Sequence, residues 1–346
     1  MGNNGFLQTA MAWFGFAWHQ FERVLSYPLI STQRVYFLYV VAAIGFALLV
    51  YLRTRRESSG THTSPGLKDF ATFLFPRSVW SQPSAWLDVR YFFFHNFIWI
   101  GMFASLGIAV TQWSVVSVSD FLLGLNDGQA VFYTEHYFLG GIVYMFVLLA
   151  AIDFTAFLIH YAQHKVSWLW AFHKVHHSAT VLHPLTNYRE HPIDNLLYVV
   201  GTAWVTGAVG GLSNFLFGGT FRMPTIIGLS VLAFAFNFLA YNLRHSHIWL
   251  RWPGKLNYLF GCPAHHQVHH SCHPEHIDKN MAFMFPVWDL LFGTYCLPET
   301  NKDVKFGLGN GEEKDFNSCL GLYLVPFLKL WRKSRGLAPA RPAPPS

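Results

Sequence analysis

Charge is what this sequence has least of. Only 12% of its 346 residues are Asp, Glu, Lys or Arg, against roughly 25% in an ordinary soluble domain. Hydrophobic residues make up 52% and aromatic residues 18%. So little charge leaves a soluble fold without a surface to solvate, and an all-α, multi-span membrane helix bundle is expected instead. Cysteine is scarce as well, and Cys262, Cys272, Cys296 and Cys319 show no disulfide-framework spacing. There is no HExxH pair, because Glu190 precedes His191 without a second His at the required interval. GLGNG at 307–311 follows no strand and opens no suitable helix, so no nucleotide fingerprint is read there. The net charge of +6 does not indicate nucleic acid, since much of the Lys and Arg sits at the ends of apolar runs, where membrane topology places it.

Those runs give the expected organisation. Residues 1–34 read as an interfacial segment with Trp13, Phe14, Phe16, Trp18 and Phe21 at the bilayer surface. It does not read as a signal peptide, because His19, Gln20, Glu22 and Arg23 interrupt its apolar stretch. Residues 35–136 hold two spans, 35–52 and 91–116, joined by a polar linker at 57–89. Arg53, Arg55 and Arg56 place the end of the first span in the cytoplasm. Asp120, Asp127 and Glu135, with no Lys or Arg in 119–136, place that loop outside. Residues 137–159 return inward, 195–217 cross outward, and 224–243 come back, with 195–243 alternatively a re-entrant hairpin. Arg222 is the one dissenting charge on the outer side. About four to five spanning or re-entrant helices are therefore expected. Residues 137–298 form the expected catalytic domain, and 299–346 a cytosolic tail with an interfacial helix within 316–331 and a disordered Pro-rich end.

Against this apolar background stand 19 histidines, of which 15 fall between His160 and His276. Imidazole is a neutral nitrogen ligand suited to iron, zinc and copper. His160 and His164 are four apart and share a helix face. His173, His176 and His177 form an i, i+3, i+4 set, and His266, His269 and His270 repeat it. These eight exceed what one four- to six-coordinate ion uses, so two metal ions are expected. His19, His62, His95 and His136 lie outside the cluster and read as structural or exposed, while His183, His265, His273 and His276 read as its surroundings. Cys262 and Cys272 flank the last box and read as reduced structural thiols. Asp153, two turns before His160, is either the acceptor for a ligand-histidine N–H or the partner of an arginine such as Arg189. Asn280 and Asp289 are expected to anchor the cap over the site.

The order HX3H, HX2HH, HX2HH resembles the fatty acid hydroxylase/sterol desaturase superfamily of membrane di-iron oxygenases. The resemblance covers about residues 137–298 and includes DFTAFLIHYAQH at 153–164, YREHP at 188–192, RHSHIWL at 244–250, HHQVHHS at 265–271 and NMAFMFPVWDLLFGTY at 280–295. It implies a cytosol-facing site with two iron ions, O2 as co-substrate, and hydroxylation or desaturation of a membrane lipid such as a sterol or fatty acyl chain. The ligands it implies are His160, His164, His173, His176, His177, His266, His269 and His270, with His245 as a further ligand and His191 as a tenth. Some hydroxylases of the superfamily carry a second His four residues beyond the His245 position. Trp249 stands there in this chain, and His191 or His247 is the candidate to fill that place, with Asp153 and His247 otherwise expected just behind the ligands.

Electrons are expected from a separate donor, such as a cytochrome b5 or a ferredoxin with its reductase. Removing a hydrogen from an unactivated C–H bond needs an oxidant that no side chain supplies. The competing readings are a zinc-dependent membrane hydrolase and a non-catalytic metal-binding relative, against which the three intact boxes stand.

Overall fold

A computed structural model describes residues 11, 15, 18–58, 66–132, 136–301 and 303–337. Trp13, Phe14, Phe16, His62, Glu135 and the Pro-rich end at 338–346 lie outside the described residues. Among the described residues, four helices are long and apolar enough to cross a membrane. Helix α1 (Phe37–Ser58) follows from the first uncharged run and ends on Arg55 and Arg56. The short helices α2 (Leu67–Leu74) and α3 (Arg77–Trp80) lead into α4 (Pro83–Gly124), whose 42 residues start with proline in the first turn, where its missing N–H is harmless. Helix α5 (Tyr137–Lys165) runs into the first histidine box. The extended Val166 then reverses the chain into α6 (Ser167–His177), which carries the second box.

Helix α7 (Pro192–Phe217) starts with His191 at its N-cap and stops at Gly218, whose φ of 71° is the left-handed conformation that closes helix ends. The best-packed pair is α4 with α7, and small residues make the approach possible. A Cβ at Gly207 would lie 2.4 Å from Thr111 O and 2.6 Å from Ser114 Cβ. One at Gly211 would lie 2.8 Å from Val115 O. This small-xxx-small spacing lets backbones touch where no hydrophobic force drives helices together. Thr111 and Ser114 then reach across to the carbonyls of Ala203 (3.3 Å) and Trp204 (2.8 Å).

The expected fifth span at 224–243 is replaced by something shorter. Strands β1 (Thr225–Ile226) and β2 (Leu229–Ser230) pair antiparallel around Ile227 and Gly228, both at positive φ, and α8 (Val231–Phe238) follows. Eight residues rise about 12 Å, well short of a hydrocarbon core of about 30 Å. Pro224 and Gly228 break the run that its hydrophobicity suggested. The remaining elements gather around the histidine-bearing end: α9 (Leu256–Leu259), α10 (Pro263–His269) with the third box, α11 (Val287–Phe292) and α12 (Cys319–Ser334). Helix α12 is amphipathic as expected, but it is docked: Leu322 and Pro326 are buried, and Tyr323 packs on Tyr91 and Phe94 of α4.

Replacing Gly207 by Val forces apart the α4–α7 contact and is expected to destabilise the protein by about 1–3 kcal/mol. Gly45→Ala, on a face of α1 with open space around it, is expected to stay within about 0.5 kcal/mol of wild type. Thermal unfolding of both variants in detergent checks this, and equal melting of the two would show that the close approach does not matter.

Candidate metal centre

Nine of the ten histidines expected as ligands come together, in two groups. His160, His164, His173, His177 and His269 form one, and His176, His245, His266 and His270 the other; within each, the ligand nitrogens lie within 4.8 Å of one another. Helical spacing accounts for the division. His173 and His177 are one turn apart on α6 and point to the first group, while His176 points to the second. In the third box His269 joins the first group, and His266 and His270, again one turn apart, join the second. Each HX2HH box therefore serves both groups.

What lies behind each ring decides which nitrogen faces inward. The His160 Nδ1–H donates to Met281 O at 2.7 Å, and the His269 Nδ1–H to Lys279 O at 2.9 Å. The His164 Nδ1–H meets Asp278 Oδ1 at 3.1 Å. These three partners come from one turn, residues 278–281, shaped by positive φ at Asp278 (58°) and Asn280 (53°), two residue types that tolerate this region. Asn280 holds the turn through Cys296 O and His265 O, and Asp289 receives Met281 N and Ala282 N, so both anchor the cap. In the second group, the His176 Nδ1–H donates to Arg189 O at 3.3 Å. His173 Nδ1 stands 3.5 Å from Asp194 Oδ2, whose other oxygen accepts from Gln163.

A carbonyl can only accept, so each Nδ1 facing one carries the proton, and Nε2 is left as a lone pair. The Nε2 atoms of these rings converge with those of the others. His160 and His173 Nε2 are 3.1 Å apart. His245 Nε2 lies 3.0 Å from His270, 3.1 Å from His266 and 3.3 Å from His176. His164, His177 and His269 each leave a buried Nε2 without a hydrogen-bond partner among the described residues. Nor can the rings escape by protonation. Burial, then neighbouring histidines, pushes His173, His177, His266, His269 and His270 well below the ordinary range, burial and His176 do the same to His245, and burial brings His176 down to about 4. Imidazoles on a first-row metal at about 2.0–2.1 Å have neighbouring nitrogens about 3 Å apart, so the donor set and its spacing fit metal ions.

Three expected residues are placed elsewhere. His191 accepts Ile193 N at its Nδ1, and its Nε2 meets Tyr323 O, so it caps α7 and stays out of both groups. His247 Nε2 donates to Phe73 O and touches no ligand ring. Asp153 accepts Met284 N, Phe285 N and Trp288 Nε1, so it pins the chain leading into α11 against α5. Arg189 pairs instead with Asp88, at 2.8 Å.

Asp194 and Asp278 were the residues that sequence reasoning passed over. Asp194 carried a usable signal, a carboxylate at the membrane end of a span. Asp278, outside any helix, carried none. Below the histidines opens a cavity of about 330 Å³ lined by His160, His173, His176 and His266, together with Arg34, Glu190, Asp194, Asn195, Tyr198 and Phe283.

Comparison with known proteins agrees with this geometry. Residues 145–294 match the fatty acid hydroxylase family model. That segment carries all three histidine boxes and resembles the family that they implied. The chain is 29% identical over 157 residues to an alkylglycerol monooxygenase of Danio rerio, covering 45% of this chain and 31% of that protein. It is 28% identical over 181 residues to the ornithine lipid hydroxylase OlsE of Rhizobium tropici, covering 52% and 49%. It is 30% identical over 158 residues to a cholesterol 25-hydroxylase-like protein of Danio rerio, covering 41% and 51%. The match thus spans between about a third and a half of the length of these curated relatives. No solved structure matches.

Asp278→Ala removes the acceptor behind His164 and is expected to weaken metal binding at the five-histidine group by about 10–100-fold, read by chelator competition with Co²⁺ as the probe. His191→Ala is expected to keep the metal stoichiometry while losing about 1 kcal/mol of stability from the α7 cap. Loss of a bound metal in His191→Ala would return that residue to the ligand set.

Proposed function

We propose that this chain is a membrane-bound di-iron monooxygenase that hydroxylates a lipid with O2 and electrons from a separate donor. The observation that carries the reading is the pair of buried, uncharged imidazole groups whose lone pairs converge beside a cavity. The nine nitrogens, with no carboxylate among them, would hold two irons, His160, His164, His173, His177 and His269 around one, and His176, His245, His266 and His270 around the other. When bound, the irons supply activation of O2 for breaking a C–H bond. One oxygen atom enters that bond as a hydroxyl, and the other leaves as water with two electrons and two protons. The relatives named as hydroxylases and monooxygenases favour hydroxylation over desaturation.

The chain's own groups hold and shield the reacting lipid. Phe283 packs against His160 and, edge-on, against Tyr198, closing the cavity between α5 and α7. Glu190 stays ionised inside it: burial alone would raise its pKa, but the Arg34 guanidinium at 3.1 Å, His176 and the Asn195 amide together hold it below the ordinary range. The site faces the cytoplasm in this reading. Lys165, Arg244, Arg251 and Lys279 lie on the histidine-bearing side, whereas Asp120 and Asp127 lie at the other end with Arg222. The electrons come from a small one-electron carrier such as a cytochrome b5 or a ferredoxin with its reductase.

Purified protein is expected to hold two irons per chain and to consume O2 only when a reductant and lipid are both present. His176→Ala and His269→Ala, one from each group, are each expected to drop turnover below about one hundredth of wild type while the protein stays in the membrane. One zinc per chain with no O2 uptake would replace the oxygenase reading with the hydrolase.

A further inference from the structure

The cavity beside the histidines has charged and polar groups set into a largely apolar wall. Arg34, Glu190, Asp194 and Asn195 line it, with Ala156 and Val199 among the few aliphatic residues. Arg34 Nη1 holds Glu190 Oε1 at 3.1 Å and Asn187 O at 2.7 Å, and Glu190 Oε2 accepts from Asn195 at 2.6 Å. Among the described residues the guanidinium makes its hydrogen bonds through Nη1, so Nε and Nη2 remain for a ligand. An apolar chain end pushed against this group would strip water from an ion pair and return no hydrogen bond. A compact polar head would replace that water with donors and acceptors of its own.

Val199 also lines a second opening, a groove of about 590 Å³ between α4, α5 and α7 that includes Phe103, Ile108, Ile152 and Ala203. The groove lies along segments long and apolar enough to cross the bilayer, so lipid chains are what surround it. Gly107 lies on its wall, where a Cβ would come within 3.3 Å of Val199 Cγ1.

We infer that the substrate is a lipid bound head-first, its compact polar head on Arg34 and Glu190 and its chain passing Val199 into this groove. The carbon hydroxylated is then close to the head and not far along the chain. This inference rests on the oxygenase reading above.

Binding is tested on the metal-loaded protein without reductant, by tryptophan fluorescence. The two probes are hexadecylglycerol, whose head is a neutral diol, and N-palmitoylornithine, whose head carries both charges. At least one probe is expected to bind, with about tenfold weaker affinity in Arg34→Met, Glu190→Gln and Val199→Trp. Unchanged affinity in all three, or binding of neither probe, overturns the inference. Reductant and O2 are then added with the bound probe deuterated either beside the head or at the methyl end. Deuterium loss beside the head is expected. Loss at the methyl end overturns head-first binding while the oxygenase stands. No O2 uptake with any lipid overturns the oxygenase, and the binding measurements alone then decide whether the pocket is head-first.

Discussion

Nine uncharged imidazoles gathered nitrogen to nitrogen in two buried groups are the constraint on which this structure depends. Such an arrangement is unfavourable by itself, because buried acceptors facing acceptors have neither water nor hydrogen bonds. It is kept by fixing the opposite nitrogen of the rings. Two carbonyls and a carboxylate from the 278–281 turn hold three rings of the first group, and Arg189 O holds His176 of the second. The fold supplies these acceptors from loops, where carbonyls are not consumed by helix bonds.

Arg189 shows how such a loop is made rigid. Its side chain is fully buried among Asp88 of α4, Val175 O and Ser178 at the end of α6, and Phe316 O ahead of α12. Burial alone would raise the Asp88 pKa, but Arg189, His183 and Thr186 together lower it and keep Asp88 ionised. Breaking such a pair from one side costs about 3–5 kcal/mol, since the remaining charge stays buried. The backbone oxygen of the same arginine orients His176, so the ion pair fixes that ring without touching it. Phe316 belongs to this network although it lies beyond residues 145–294. The tail is thus part of the site's support.

Legibility in the sequence followed the range of the forces involved. The long helices were readable because twenty apolar residues fix a span locally, and the first two boxes because i, i+3 and i+4 spacing fixes a helix face locally. The short return through β1, β2 and α8 was not, because hydrophobicity alone cannot distinguish a crossing helix from a hairpin packed between helices. His191 was misleading for a physical reason. A histidine before Pro192 looks like part of a ligand motif, but the position is also an N-cap, and the cap uses the lone pair. Asp278 and the Met281 and Lys279 carbonyls were invisible, because backbone acceptors carry no residue signature and their loop meets α5 only in the folded chain.

The same division by range separates the stiff part of the bundle from the open part. The metal groups need stiffness, and they have it from hydrogen bonds that cross between chain segments over 100 residues apart, such as Asp278 to His164 and Met281 to His160. A lipid path needs room between helices, which close packing normally denies. Here α4 and α7 touch backbone to backbone at Gly207 and Gly211 and open beside Gly107 and Val199. The helix contact farther from the histidines is the tight one, so the opening nearer to them exists without loosening the pair. Small residues thus do two jobs along one interface: at Gly207 and Gly211 they bring the helices together, and at Gly107 the missing Cβ leaves Val199 uncrowded beside the groove.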